Sequence, residues 1–161
     1  METESLFFLL FVGDDMLSII NGPLDVPHIL KEWYEEESHS NYGAYIPFVG
    51  TVRDEEDIEG LSFDVYEPIL YRWFNEWEIK AKERGAKIKM AHSLGDVMTH
   101  QSSYIAAVFS PKRRVALELI DEFVEDFKAS APIWKYDLKD GRRVYAKDRS
   151  TAISGSGLLA K

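Results

Sequence analysis

The spacing of apolar residues predicts three amphipathic helices. In each of them, large apolar side chains recur every three or four positions and therefore share one face. Residues that favour helix ends bound these segments: Asp25 and Ser110 are suited to cap the first and the third, Pro68 to begin the second, and Gly85 to end it. The predicted helices cover residues 26–37, 68–84 and 111–128.

Shorter apolar or alternating runs predict the strands, and Asp140-Gly141 predicts a hairpin turn near the C-terminus. The run 44–52 is apolar almost throughout, which predicts burial on both faces, although Pro47 implies an edge or a bulge. Leu94-Gly95-Asp96 is expected to be a turn. The strands predicted before the hairpin cover residues 17–20, 44–52, 61–65, 87–92 and 104–109.

The resulting order, β-α-β-β-α-β-β-α-β-β, predicts an α+β fold in a single domain over residues 16–149. Because helices do not alternate strictly with strands, a doubly wound parallel sheet is not expected. Residues 1–15 are expected to be an N-terminal extension or an edge strand. Residues 150–161 include Ser-Gly-Ser-Gly, which predicts a flexible tail.

Composition narrows the function. The chain of 161 residues contains no cysteine, which excludes disulfides, thiolate metal sites and a cysteine nucleophile. Its net charge of −9 argues against nucleic-acid binding. Residues 1–60 carry 14 acidic and 2 basic side chains, which predicts separate surfaces for separate partners. His28, His39 and His100 are scattered, so we expect neither a metal site nor a cofactor. The apolar run 6–12 is too short to span a membrane, and a cytoplasmic protein is expected.

Two cationic segments are candidate anion sites. Lys112-Arg113-Arg114 falls in the first turn of a predicted helix, where free N–H groups and the positive end of the helix dipole favour an anion. The alternative is a solvated basic surface. Arg53 follows a predicted strand and is a second candidate anion ligand. The alternative for Arg53 is an ion pair with a neighbouring acid, Asp54, Glu55 or Glu56.

A bend near the C-terminus is predicted to bring two lysines together. Pro132 lacks an N–H group and disfavours helical geometry at Ala131, so the third helix must end there. Lys128 and Lys135 flank this bend and could act by charge or as general acids and bases. The alternative is that lysines simply complement the helix dipole. His92 follows a strand, where a structural hydrogen bond competes with a catalytic role.

Several stretches, in order, resemble the large, catalytic subunit of molybdopterin synthase. The resemblance spans residues 17–149. The matching residues are Gly43-Ala44, Phe48-Val49-Gly50-Thr51-Val52-Arg53, Tyr66-Glu67, His92 with Leu94-Gly95, Lys112-Arg113, Lys128 and Pro132-Ile133-Trp134-Lys135.

The resemblance implies an α/β hammerhead-like core with an additional antiparallel sheet. It implies a sulfur transferase of molybdenum cofactor biosynthesis, which converts cyclic pyranopterin monophosphate to molybdopterin. Sulfur would arrive on a small ubiquitin-like subunit whose C-terminal Gly-Gly is a thiocarboxylate. The large subunit would form a homodimer, and a heterotetramer with two small subunits.

The resemblance also implies site residues. Lys128 and Lys135 match the two catalytic lysines, and Lys147 or Arg149 is expected to reach the site of the other protomer. Two positions depart from the family pattern: Lys112 replaces the usual histidine, and Ser93 replaces an arginine. Competing functions are a non-catalytic scaffold for a ubiquitin-like partner and a small-anion-binding domain. The expected substrate-binding residues are Arg53, Lys112, Arg113, Phe48, Pro132 and Trp134.

Overall fold

The computed structural model describes residues 16–55 and 57–145. Its elements follow the predicted order β-α-β-β-α-β-β-α-β-β, which confirms the α+β class. The helices are α1 (Val26–Glu37), α2 (Glu67–Glu83) and α3 (Arg113–Ser130). The strands are β1 (Leu17–Asn21), β2 (Ala44–Thr51), β3 (Gly60–Val65), β4 (Lys87–Met98), β5 (Ser102–Ser110), β6 (Ile133–Lys139) and β7 (Arg142–Tyr145).

Some expectations concern residues outside the described ranges. These are the extension at residues 1–15, the tail at residues 150–161, and the roles of Lys147 and Arg149. Within the described ranges, no helix combines the length and the apolar character that a membrane span requires.

The long strand β4 joins two parts of one seven-stranded sheet, ordered β2-β5-β4-β3-β6-β7, with β1 parallel to β4. The first half of β4 pairs with β5 and β1, and from Gly95 onward it pairs with β3. The turn expected at Leu94-Gly95-Asp96 is therefore wrong. Gly95 instead adopts a φ of +83°, a left-handed value that glycine tolerates, and the strand continues while its partner changes.

Helices cover both faces of the sheet where β4 and β5 lie side by side. Every second residue of β5 packs with α2 and α3, and the intervening residues pack with α1. This alternation follows from the period of two in a strand. The shared apolar face that the spacing predicts for this helix is confirmed in α2, where three aromatic residues are at most 8% exposed: Trp73, Phe74 and Trp77.

Strand β2 is an edge strand, paired only with β5 among the described strands. The predicted burial on both faces is therefore wrong, and the edge position implied by Pro47 is correct. Proline has no N–H to donate to a second neighbour, so an edge suits it. Phe48 is 41% exposed and Val49 is 37% exposed.

Both ends of α3 bear on the predicted sites. Lys112, not Ser110, occupies the N-cap position. Ser110 still belongs to β5, opposite Ala44, and its Oγ accepts a hydrogen bond from the Lys112 N–H at 3.2 Å. At the other end, Ala131 is the C-cap with a ψ of 137°, an extended conformation that confirms the break before Pro132.

Candidate functional site

Arg53 and Lys135 meet at one small cavity, of about 160 Å³. The cavity lies where β2 ends and the chain leaves the sheet. Hydrogen bonds fix this point on both sides of Val52, whose N–H donates to the Gln101 carbonyl at 2.9 Å and whose carbonyl accepts from the His100 N–H at 2.7 Å. The other residues that line the cavity are Thr51, Val52, Glu55, Ile58, Leu61 and Ser103.

Lys135 lies on β6 directly opposite Phe63 of β3. Residues opposite each other in an antiparallel pair share a face of the sheet, so the Lys135 side chain lies on the same face as the Phe63 ring. Phe63 belongs to a small buried cluster with Val52 and Val97. Lys135 therefore sits half-buried at the margin of an apolar cluster, on a strand rather than a loop.

Lys128 lies in the last turn of α3 and is exposed. Its side chain makes no hydrogen bond or ion pair with the residues that the structure describes. The chain passes from α3 to β6 through Ala131 and Pro132 alone, so Lys128 and Lys135 flank one tight bend, as predicted. Lys128 is not among the residues that line the cavity.

A carboxylate fixes the helix turn that carries Lys128. Asp126 accepts hydrogen bonds from the indole N–H groups of Trp73 at 2.8 Å and Trp77 at 2.7 Å, and from the Ser130 hydroxyl at 2.9 Å. Partial burial alone would raise the pKa of Asp126, but these hydrogen bonds favour the charged form and lower it below its ordinary value. The last turn of α3 is thus tied both to itself and to α2.

A row of aromatic rings connects the elements around the site. Phe48 contacts Tyr104 edge-on at 5.9 Å between ring centroids, and Tyr104 stacks on Phe127 at 4.2 Å. Phe127 contacts His92 at 5.6 Å, and His92 contacts Phe63 at 5.0 Å. The row runs from the edge strand to the strand that faces Lys135, and Phe127 immediately precedes Lys128. Packing of these rings therefore couples both lysines to one rigid core.

The polar groups in and beside this row are buried. Burial lowers the pKa of His92 from 6.5 to about 4, and its Nδ1–H donates to the Ser93 carbonyl at 2.7 Å. A neutral, 3% exposed imidazole fits the structural alternative for His92. Burial also raises the pKa of the Tyr104 phenol. The hydroxyls of Tyr104 and Ser93 are buried without a hydrogen-bond partner among the described residues.

Lys112 and Arg113 lie far from the cavity within one chain. They follow Ser110, which pairs with Ala44 at the start of β2, whereas Arg53 follows the end of β2. Seven residue steps along a strand separate these points by roughly 24 Å. Helix α3 gives a similar result, because Arg113 and Lys128 are 15 residues apart and roughly 22 Å distant along the axis. One chain therefore does not bring them together with Arg53 on a single phosphate.

The remaining predicted substrate contacts differ in exposure. Phe48 is exposed on the edge strand and can receive a planar ligand. Pro132 is fully buried, and Trp134 is 8% exposed and lies opposite Asp64 of β3. Because Pro132 and Trp134 are buried, they offer little surface to a ligand. Their packing is better suited to hold Lys128 and Lys135, which flank them, in position.

The sequence alternative that pairs Arg53 with a neighbouring acid is confirmed, because the Arg53 guanidinium forms an ion pair with Glu55, which also lines the cavity. Ser103 is the cavity residue that no local signal in the sequence indicates. The register of β2 against β5, which pairs Thr51 with Ser102, brings Ser103 to the cavity. Over the described ranges, no three histidine or acidic side chains are grouped to hold a metal ion. A larger cavity, of about 540 Å³ between α2 and the start of β4, contains none of the predicted site residues.

Fold and site together define an α+β protein that gathers cations at the end of an edge strand, an arrangement suited to a small anionic ligand.

Similar proteins identify the family of this chain. The family model described as "MoaE protein" matches residues 19–130. A molybdopterin synthase catalytic subunit from Helicobacter pylori is 54% identical over 145 residues, which are 90% of this chain and all of that protein. A catalytic subunit from Bacillus subtilis is 28% identical over 149 residues, 89% of this chain and 92% of the other.

Solved structures agree. A Helicobacter pylori structure described as the complex of subunits 1 and 2 of molybdopterin-converting factor aligns with a TM-score of 0.85 and 53% identity, over 90% of this chain and 99% of that chain. Molybdopterin synthase from Staphylococcus aureus aligns with a TM-score of 0.70 at 21% identity, over 82% and 97% of the two chains, which shows the fold alone. This chain belongs to the MoaE family, the catalytic subunits of molybdopterin synthase.

Proposed function

We propose that this chain is the catalytic subunit of a cytoplasmic molybdopterin synthase and converts cyclic pyranopterin monophosphate to molybdopterin. The observation that carries the proposal is the convergence of Arg53 and Lys135 on one cavity, with Lys128 on the same bend as Lys135. Membership of the family supports the reaction.

The chemistry explains the need for cations. The pterin carries a phosphate and the sulfur-carrying partner ends in a thiocarboxylate, and both groups are anions. They must come close together for the sulfur to reach a carbon of the pterin. Cations offset their mutual repulsion and stabilise the negative charge that develops on reacting oxygens. The thiocarboxylate sulfur forms a bond to a carbon of the pterin precursor, and a carbon–oxygen bond at that carbon breaks, so that the oxygen leaves as water or remains on the phosphate. Water then cleaves the acyl–sulfur bond, which leaves a carboxylate on the partner and the sulfur on the pterin. Two such replacements of oxygen by sulfur give the dithiolene.

The positions of the three cations support a separate role for each. Lys128 is exposed at the helix end, where it can reach the terminal carbonyl of a partner. Lys135 is half-buried beside apolar side chains and is suited to hold the pterin and to exchange protons with it. Arg53 would bind the phosphate, because a guanidinium offers paired donors to phosphate oxygens.

The partner we propose is a small ubiquitin-like subunit with a C-terminal Gly-Gly thiocarboxylate. The absence of cysteine supports this choice, since sulfur must then arrive on another molecule. The structure from Helicobacter pylori, described as a complex of subunits 1 and 2, supports an assembly of two kinds of chain.

We propose further that the assembly contains a homodimer of this chain, in which Lys112 and Arg113 serve the cavity of the second copy. Their separation of roughly 24 Å from Arg53 along β2 supports this arrangement over a shared phosphate within one chain. The first turn of α3 carries no acidic side chain, so its cations stay available to an anion.

An anaerobic assay tests the function. The full chain would be mixed with cyclic pyranopterin monophosphate and a thiocarboxylated ubiquitin-like partner, and the dithiolene product followed by its oxidised fluorescent derivative. Lys128→Ala should abolish product while changing the free energy of unfolding by less than about 0.5 kcal/mol, because the side chain is exposed.

The matched control is Lys31→Ala, which removes a lysine that is 74% exposed on α1. It should leave product formation unchanged. Partner binding with no product from the wild-type chain would refute the synthase and favour a scaffold. Pterin binding with no affinity for the partner would favour a small-anion-binding domain.

A further inference from the structure

The candidate phosphate ligand already has an anionic partner. The Arg53 guanidinium forms an ion pair with the Glu55 carboxylate, and both side chains line the cavity that contains Lys135. The two partners are held differently: the Glu55 side chain is 29% exposed, whereas the Arg53 side chain is 82% exposed. The carboxylate is thus the more fixed member of the pair.

The backbone explains why Glu55 is held in place. Its carbonyl accepts a hydrogen bond from the Ile58 N–H at 3.0 Å, which closes a turn after β2. Ile58 is 6% exposed and anchors that turn against the cavity wall. Arg53 has little packing around its guanidinium, so exchanging one oxygen partner for another costs it little ordering.

We propose that Glu55 is a resident counter-anion of this cavity, which competes with the phosphate of the ligand for Arg53. The inference rests on the proposed function, because it takes the pterin phosphate as the ligand. Binding then exchanges a carboxylate for a phosphate on the same guanidinium. Glu55 lowers the affinity for substrate and product alike, which limits retention of the product.

The experiment is a calorimetric titration of the full chain with cyclic pyranopterin monophosphate. Glu55→Gln keeps the size of the side chain and removes its charge. An exposed ion pair is worth at most about 1 kcal/mol, which corresponds to a Kd about two- to fivefold lower for Glu55→Gln than for the wild type. Asp54→Asn is the matched control, because it makes the same charge change one residue away, at an exposed position that does not line the cavity.

A double-mutant cycle separates competition for Arg53 from a general change in charge. Arg53→Ala should weaken binding, and Arg53→Ala with Glu55→Gln should bind like Arg53→Ala alone, because the guanidinium for which carboxylate and phosphate compete is then absent. Equal tightening by Glu55→Gln and Asp54→Asn, or tightening by Glu55→Gln that persists without Arg53, would overturn the inference.

The outcomes also distinguish this inference from the proposed function. A wild-type chain that binds the pterin through Arg53, with no gain from Glu55→Gln, refutes the counter-anion alone and leaves the synthase standing. A wild-type chain that binds no pterin refutes both. Thermal unfolding of each variant verifies that Glu55→Gln and Asp54→Asn are equally folded.

Discussion

Burial of the His92 imidazole predicts that the free energy of unfolding falls as the pH is lowered. Burial lowers its pKa from 6.5 to about 4, so the folded chain resists protonation where the unfolded chain accepts it. The contribution of the neutral His92 to the free energy of unfolding is therefore fully present above pH 6.5 and is lost as the pH falls from 6.5 toward 4. At about 1.4 kcal/mol per pKa unit, the full loss is about 3 kcal/mol, of which about 2 kcal/mol falls between pH 7 and pH 4.5.

The window above pH 4.5 isolates His92 from the carboxylates. Glu37 and Asp126 also have lowered pKa values, but they lose their contributions only below their ordinary values of 4.5 and 3.8. Urea unfolding at several pH values between about 4.5 and 7 measures the effect as a change in midpoint at constant m-value.

The test variant is His92→Asn, whose side-chain amide can still donate to the Ser93 carbonyl. We expect it to be less stable than the wild type at neutral pH, because a ring is lost from the aromatic row, but nearly insensitive to pH within the window. The control His28→Asn replaces a histidine that is 68% exposed and should keep the wild-type slope. If wild type and His92→Asn showed the same slope, the imidazole would not be the group that titrates.

Two further predictions concern the ends of α3. Asp126→Ala should lower the free energy of unfolding by about 2 kcal/mol, because the indole donors of Trp73 and Trp77 lose a charged acceptor. Because the turn carrying Lys128 also loosens, the variant should need a higher midpoint concentration of partner for product formation. Unchanged urea unfolding would contradict this prediction. Mixing inactive Lys128→Ala chains with inactive Arg113→Ala chains should restore part of the activity if the site is shared between two copies, whereas a site contained in one chain would give no restoration.

The element order was predictable because residues that begin or end helices and form turns stand at most element boundaries of this chain. Pro68 lies in the first turn of α2, Gly85 follows its end, and Pro132 ends α3 one residue after the cap. Asp140 and Gly141 both have positive φ in the β6–β7 hairpin, as an Asp-Gly turn requires. Each signal acts within a few residues, so local chemistry alone decides it.

Long-range pairing limited what the sequence could predict. The run 44–52 has the apolar composition of a central strand, yet β5 is the one partner of β2 among the described strands, since strand order depends on residues some fifty positions away. The sequence around Gly95 predicts a turn, but β4 continues through this residue and changes its partner there to β3. Ser103 enters the cavity for the same reason, because only the completed register of β2 against β5 shows that it lies beside the end of β2.

Charge pairing among the described residues distinguishes Lys128 from the lysines of β4. The acidic excess of residues 1–60 predicts separate surfaces, but two of these acids, Glu36 and Glu37, contact Lys89 of β4, which is 3% exposed, and Glu37 also contacts Lys87. An unpaired charge buried there would cost several kcal/mol, so these contacts are structurally committed. Lys128 has no such partner among the described residues, and its ammonium is free to meet an anion. Two carboxylates at the end of α1 thus neutralise lysines of β4, whereas the Lys128 ammonium at the α3–β6 bend has no counter-ion among the described residues, which suits the two-anion site that we propose.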